Sequence, residues 1–138
     1  VNSPVNPQLR RAKDLIFRDY AEPLDISDIS KAAHMSQAHF ARQFKKVYGF
    51  TPHKYLIVTR IERSMYLLRD GATVTKACNT VGFASLSSFS GLFKRITGLT
   101  PTEYMSLGHV EIDLLPVCLR QIADQGVILR HFVDVSAR

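Results

Sequence analysis

The chain of 138 residues states one pattern twice. Phe40, Phe44, Lys45-Lys46, Val47, Gly49 and Thr51-Pro52 recur at a constant offset of 49 residues as Phe89, Phe93, Lys94-Arg95, Ile96, Gly98 and Thr100-Pro101. Two aromatics four apart, a basic pair, a branched apolar residue, a glycine stop and a Thr-Pro restart describe a helix closed by glycine, with a new helix beginning behind it. Upstream the offset falls to 48, because Ile26, Ile29 and His34-Met35-Ser36 match Val74, Ala77 and Gly82-Phe83-Ala84. The second copy therefore has one more residue in its turn.

A short helix, a tight turn and a longer helix with a basic outer side form the helix-turn-helix plan, in which the second helix enters the DNA major groove. Two copies are too few for a stacked solenoid. The length suits one compact domain, or two small helical subdomains sharing an element. A net charge of +6 and a pI near 9.6 favour a polyanionic partner. The basicity lies in the repeats: residues 1–108 hold 15 Lys/Arg against 8 Asp/Glu, whereas residues 109–138 hold 3 against 4.

Other classes are disfavoured. No stretch approaches the ~18 apolar residues of a membrane span and no leader opens the chain, so a cytoplasmic protein with no membrane partner is expected. Cys78 and Cys118 lie in apolar contexts without metal-ligand spacing and read as buried thiols; His34, His39 and His53 share no face. With no nucleophile-base-acid set and no phosphate-cradling glycine loop, the chain is not read as an enzyme, and neither metal nor cofactor is expected. Val1 in place of Met suggests a fragment or a processed chain.

The pattern predicts an all-α fold. One helix opens at Asn6-Pro7 and runs to Tyr20; Ser27 is a candidate N-cap for a short helix to Ala33; another runs from Gln37 to Tyr48. The first helix-turn-helix thus occupies about 27–49, a linker helix about 52–69, and the second helix-turn-helix about 75–98. The linker should measure about 27 Å and act as a ruler between reading heads, since half-sites one DNA turn apart are ~34–36 Å from centre to centre. Thr100 to Glu103 has the form of a capping box. Residues 109–138, broken by Pro116 and Gly126 with a β-branched stretch from Val127 to Val135, are open to three readings: a surface-packed or partly disordered extension, an oligomerisation element, or an end unrelated to native function.

Projected at 100° per residue, Phe40, Phe44 and Val47 share the core side of the first long helix, and Phe89, Phe93 and Ile96 that of the second. The outer side of the first carries Ala38, Arg42 and Lys45, flanked by Ala41 and Lys46; that of the second carries Ser87, Gly91 and Lys94, flanked by Ser90 and Arg95. Arg42 can grip guanine O6 and N7, worth ~1–3 kcal/mol of discrimination. Gly91 has no side chain to offer and costs the helix roughly 1 kcal/mol against Ala. A basic pair alone would read as a solvated face. Its recurrence opposite a buried stripe, just before a glycine cap, favours phosphate contact.

These residues resemble the DNA-binding domain of the AraC/XylS family of bacterial transcription regulators. The resemblance covers about residues 7–107 and is most specific at Gly82-Phe83, Ser85, Phe89, Phe93-Lys94, Gly98, Thr100-Pro101 and Tyr104, with Tyr55-Leu56, Arg60-Ile61 and Leu67-Leu68 in the linker. It implies two homeodomain-like three-helix units on a rigid linker, each placing its second helix in adjacent major-groove segments. The implied base-reading positions are Gln37, Ala38, Ala41 and Arg42, then Leu86, Ser87, Ser90 and Gly91. The phosphate positions are Ser36, Lys45, Lys46, Ser85, Lys94 and Arg95. Implied partners are double-stranded DNA and RNA polymerase, which the protein would recruit or block. An effector-binding domain, common in the family, is absent from these residues. His34 replaces the usual turn glycine, Ala77-Cys78 the usual Ile-Ala, and Met105 a frequent Arg. With Ser87 and Gly91, these departures motivate an alternative, a protein-interaction module that keeps the fold with little specific DNA reading.

Overall fold

A computed structural model describes residues 6–106, and every regular element among them is helical: α1 (Pro7–Asp19), α2 (Ile26–Ala32), α3 (Gln37–Tyr48), α4 (Pro52–Arg69), α5 (Val74–Thr80), α6 (Leu86–Thr97) and α7 (Pro101–Ser106). The chain divides into two units between Thr59 and Arg60, inside α4. One helix thus closes the first unit and opens the second. The expectations for residues 109–138 and for Cys118 lie outside the described residues.

In the first unit, α1 starts on the Asn6 side chain, which accepts from the Gln8 N–H at 2.9 Å, and its three-to-four spacing buries Leu9, Ala12 and Ile16. The N-cap of α2 is Asp25, not Ser27: its carboxylate accepts from the Asp28 N–H at 2.9 Å, so the helix begins two residues earlier than a cap at Ser27 would start it. Ser36 caps α3 in the same way, accepting from the His39 N–H at 3.3 Å. The Phe40, Phe44, Tyr48 and Tyr55 rings stack in sequence, Phe44 standing edge-on to Tyr55 at 5.3 Å. Offset and edge-to-face rings are the favourable arrangements for aromatic quadrupoles.

Helical projection places Val47 in this core, but the structure leaves it 41% exposed and buries Tyr48 instead. The reason is local. Tyr48 is one turn beyond Phe44 and its large ring reaches both Phe44, at 4.7 Å, and Tyr55, at 6.0 Å, so the buried stripe tilts toward it and away from the smaller Val47.

The second unit repeats the plan. Thr73 caps α5, accepting from the Lys76 N–H at 3.1 Å, so that α5 starts at Val74. Ser85 caps α6, and Phe89, Phe93 and Ile96 are buried as projected. Phe93 meets Tyr104 of α7 at 5.6 Å, as Phe44 meets Tyr55 of α4. The restart is a reciprocal capping box: the Thr100 hydroxyl accepts from the Glu103 N–H at 3.1 Å, and the Glu103 carboxylate accepts from the Thr100 N–H at 3.3 Å. The Thr100 hydrogen bonds hold the Glu103 carboxyl below its ordinary range.

Both turns close identically. In the first, the Met35 N–H reaches the Ser30 carbonyl at 3.2 Å and the His34 N–H reaches Lys31 at 3.1 Å; in the second, Phe83 reaches Cys78 at 3.1 Å and Gly82 reaches Asn79 at 3.2 Å. This paired closure needs a residue at positive φ just past the helix. Gly82 adopts φ 100° without a Cβ to clash, whereas His34 adopts φ 56° with one. The extra residue of the second turn falls after this closure, before the Ser85 cap.

Candidate nucleic-acid interface

Burying the aromatic stripe of α3 turns its opposite side to solvent. Ser36, Gln37, Ala38, Arg42, Lys45 and Lys46 are exposed and Ala41 is half-buried. On α6 the same construction exposes Ser85, Leu86, Ser87, Gly91, Lys94 and Arg95 and leaves Ser90 half-buried. Each set of expected site residues therefore shares one accessible helix surface or the cap that begins it. Leu86 stands apart within its set. It is the first residue of α6, 46% exposed, and projects nearer the buried side than the outward crest.

The ends of the two helices account for much of this pattern. Gly49 and Gly98 stop them at φ 83° and 84°, donating to the Lys45 and Lys94 carbonyls at 2.8 and 2.7 Å. Lys45-Lys46 and Lys94-Arg95 thus lie in the last turn, where cations also complement the helix dipole by ~0.3–1 kcal/mol each. That placement suits the helix and leaves the four cations exposed. Ser36 and Ser85, expected at phosphates, have a structural task as N-caps, yet a capping oxygen accepts and leaves its O–H to donate. Ser87 is drawn into this arrangement, its hydroxyl 3.1 Å from that of Ser85.

The crests differ in kind. Arg42 presents a long, exposed guanidinium at the centre of the first. At the equivalent place Gly91 presents bare backbone, and a Cβ built there would meet nothing within 4 Å. Neither is demanded by packing within its unit.

Arg60 and Cys78 support the second turn. Arg60 is buried, its guanidinium 5.7 Å from the centre of the Phe83 ring. The Cys78 thiol lies 3.8 Å from the carbonyls of both Phe83 and Ser85, and burial raises its pKa, keeping the S–H that such contacts need. The Ala77-Cys78 departure from the family pattern thus ties α5 to the start of α6. Glu62 in α4 is buried as well, and its Oε1 has no hydrogen-bond partner.

A family of proteins described by a helix-turn-helix domain matches residues 29–106. The fold is shared with a transcriptional regulator of AraC-type DNA-binding domain from Chromobacterium violaceum, at TM-score 0.69 and 28% identity over 76% of this chain and 95% of that one. The chain belongs to the AraC-type helix-turn-helix family. Another solved structure, the DNA-binding domain of AdpA, a global transcriptional factor, in complex with a target DNA, aligns at TM-score 0.69 and 26% identity over 72% of this chain and 91% of that chain. Among curated relatives, the Msm operon regulatory protein of Streptococcus mutans is 28% identical over 90 residues, 64% of this chain and 32% of that protein. The lactose operon transcription activator of Staphylococcus xylosus is 26% identical over 87 residues, 62% of this chain and 31% of that protein. The chain spans about a third of the length of these regulators. It carries the AraC-type DNA-binding domain of such regulators. No described helix is long and apolar enough to cross a membrane.

Proposed function

We propose that α3 and α6 each enter a major-groove segment of duplex DNA and that this binding controls transcription from a nearby promoter in a bacterium. The observation that carries the reading is one scaffold built twice, each copy ending its second helix in a basic pair, with the crest opposite the core left to vary. In this reading Gln37, Ala38, Ala41 and Arg42 face bases from α3, and Leu86, Ser87, Ser90 and Gly91 face them from α6. Ser36, Lys45 and Lys46, and Ser85, Lys94 and Arg95, hold the phosphates on either side. Arg42 is the main reader, because an arginine fork fits guanine O6 and N7.

RNA polymerase is the proposed protein partner and activation the proposed sense, in keeping with a relative named as a transcription activator. The effector would act through a further domain of a longer regulator, and the cytoplasm is the proposed compartment.

The test is selection of bound duplexes from a randomised pool at fixed salt, followed by titration of the enriched site across a salt series. An enriched motif with affinity falling by about 0.9 in log K per log salt for each neutralised phosphate supports the reading. Failure to enrich any sequence, with no binding at low salt, overturns it in favour of the protein-interaction module.

A further inference from the structure

Resting on this DNA reading of α6, we propose that Gly91 is a clearance for the C5-methyl of a thymine, so that the half-site facing α6 is read by fit to a protruding methyl rather than by a side-chain hydrogen bond. Gly91 adopts an ordinary helical conformation; it is not among the glycines at positive φ. An added Cβ meets open space, so close packing within the protein does not require its absence either. In the middle of an exposed helix surface glycine costs roughly 1 kcal/mol against alanine. A residue that weakens its own helix and relieves no internal clash is best explained by something outside the chain that approaches the backbone there.

The surroundings limit what that something is. Lys94 and Arg95 follow one turn later and suit a polyanion. Ser87, one turn earlier, is short and has its hydroxyl 3.1 Å from that of Ser85, and Lys94 is assigned to a phosphate in this reading, so no long donor comparable to Arg42 is left on the crest to read a base. Bases whose recessed edges must be reached by an arm gain little from such a surface. The base feature that projects into the major groove and is recognised by apolar contact is the thymine methyl. The first unit would then probe with an arm and the second receive a knob in a slot.

The experiment uses the intact chain, Gly91→Ala and Gly91→Gln on the selected duplex, alongside the same duplex with single thymines replaced by uracil, which removes the methyl and keeps the hydrogen-bonding edge. Arg42→Ala identifies the half-site read by α3, leaving the other half for α6. Both Gly91 variants should unfold a few degrees higher than the parent, as a better helix former predicts, yet bind the duplex about tenfold or more weakly, the usual scale for overfilling a fitted contact. One uracil substitution in the α6 half should weaken the parent chain about three- to fivefold, the value of one methyl, and should not weaken Gly91→Ala further. Parental affinity in Gly91→Ala, or parental indifference to uracil, overturns the proposal while leaving DNA binding intact. If the parent enriches no duplex at all, the DNA reading itself fails and the clearance falls with it.

Discussion

The two units use the same frame and finish it differently. Serine caps, glycine stops and edge-on Phe–Tyr pairs coincide, down to the Gly49 and Gly98 φ values of 83° and 84°. What differs is how each long helix ends. In the first unit Tyr48 lays its ring against Phe44, with the Lys13 ammonium 5.6 Å from the ring centre. In the second the same position is Thr97, whose hydroxyl donates to the Phe93 carbonyl at 2.8 Å and accepts from the Leu99 N–H at 3.1 Å. A ring and a hydrogen-bonded hydroxyl close the same corner. The frame thus tolerates unlike chemistry where backbone and buried surface are satisfied, and the outward crests, with no such requirement, diverge most.

The sharpest way to break this equivalence is to remove the shared ring. Phe44→Ala and Phe93→Ala should each cost about 3–5 kcal/mol, because both rings are fully buried. Denaturant unfolding checks this, and Phe44→Ala should be at least as damaging since its ring touches Phe40, Tyr48 and Tyr55. A loss under 1 kcal/mol in one unit alone would show that its helix end, not its ring stack, holds it together.

Glu62 sets the units apart next, since the described part of the first has no buried carboxylate. Burial pushes its carboxyl up to about 8 from an ordinary 4.5, with Arg63 partly opposing the shift. The folded protein holds the proton after the unfolded chain has released it, so stability falls as pH rises from about 4.5 to about 8 and levels off above. Thermal or urea unfolding across that range should show a loss on the order of a few kcal/mol, and Glu62→Gln should flatten it. An unchanged pH profile in Glu62→Gln would place the titrating group elsewhere.

The crests give a smaller effect, and one visible only with DNA. Arg42→Ala should relax preference at one or two base pairs by about 1–3 kcal/mol, whereas Ser87→Ala should change it less. Competition with single-base-substituted duplexes measures both. Equal losses would make Ser87 as strong a base reader as Arg42 despite its proximity to Ser85.

The frame was legible because its parts are local and repeated: glycine stops, Thr-Pro restarts and aromatic spacing each fix backbone geometry within a few residues. The bounds of α3, α4 and α6 follow from them directly. The cap of α2 and the core edge of α3 depart from the pattern because two local choices compete at each. Asp25 and Ser27 are both good caps, and only the Asp28 N–H decides between them. Val47 and Tyr48 both border the apolar stripe, and ring size decides. The burial of Glu62 was not legible at all, because a charged residue in a helix ordinarily marks a solvated face. At the crests sequence supplies side-chain reach and exposure, which is why Arg42 stands out from the pattern alone. Projection places Gly91 on the outer side as well, but only the structure shows that an added Cβ there meets nothing within 4 Å.

The turn residues His34 and Gly82 give the smallest expected effect and test the equivalence of the frames most directly. Both stand just past a short helix within the same pair of backbone hydrogen bonds, so both need positive φ, and only the glycine takes it without a Cβ. A non-glycine residue in the left-handed region costs roughly 1–2 kcal/mol, while glycine loses roughly 0.5–1 kcal/mol more backbone entropy on folding. His34→Gly should therefore stabilise the chain by only about 0.5–1 kcal/mol. The reciprocal Gly82→Ala should destabilise it by at least as much, because φ 100° lies farther from the left-handed minimum than the 56° of His34. Thermal unfolding of the two variants reads the difference as shifts of opposite sign. Should His34→Gly lower stability instead, the exposed imidazole must contribute more than its backbone strain removes, and the histidine would be a functional departure from the second unit's turn.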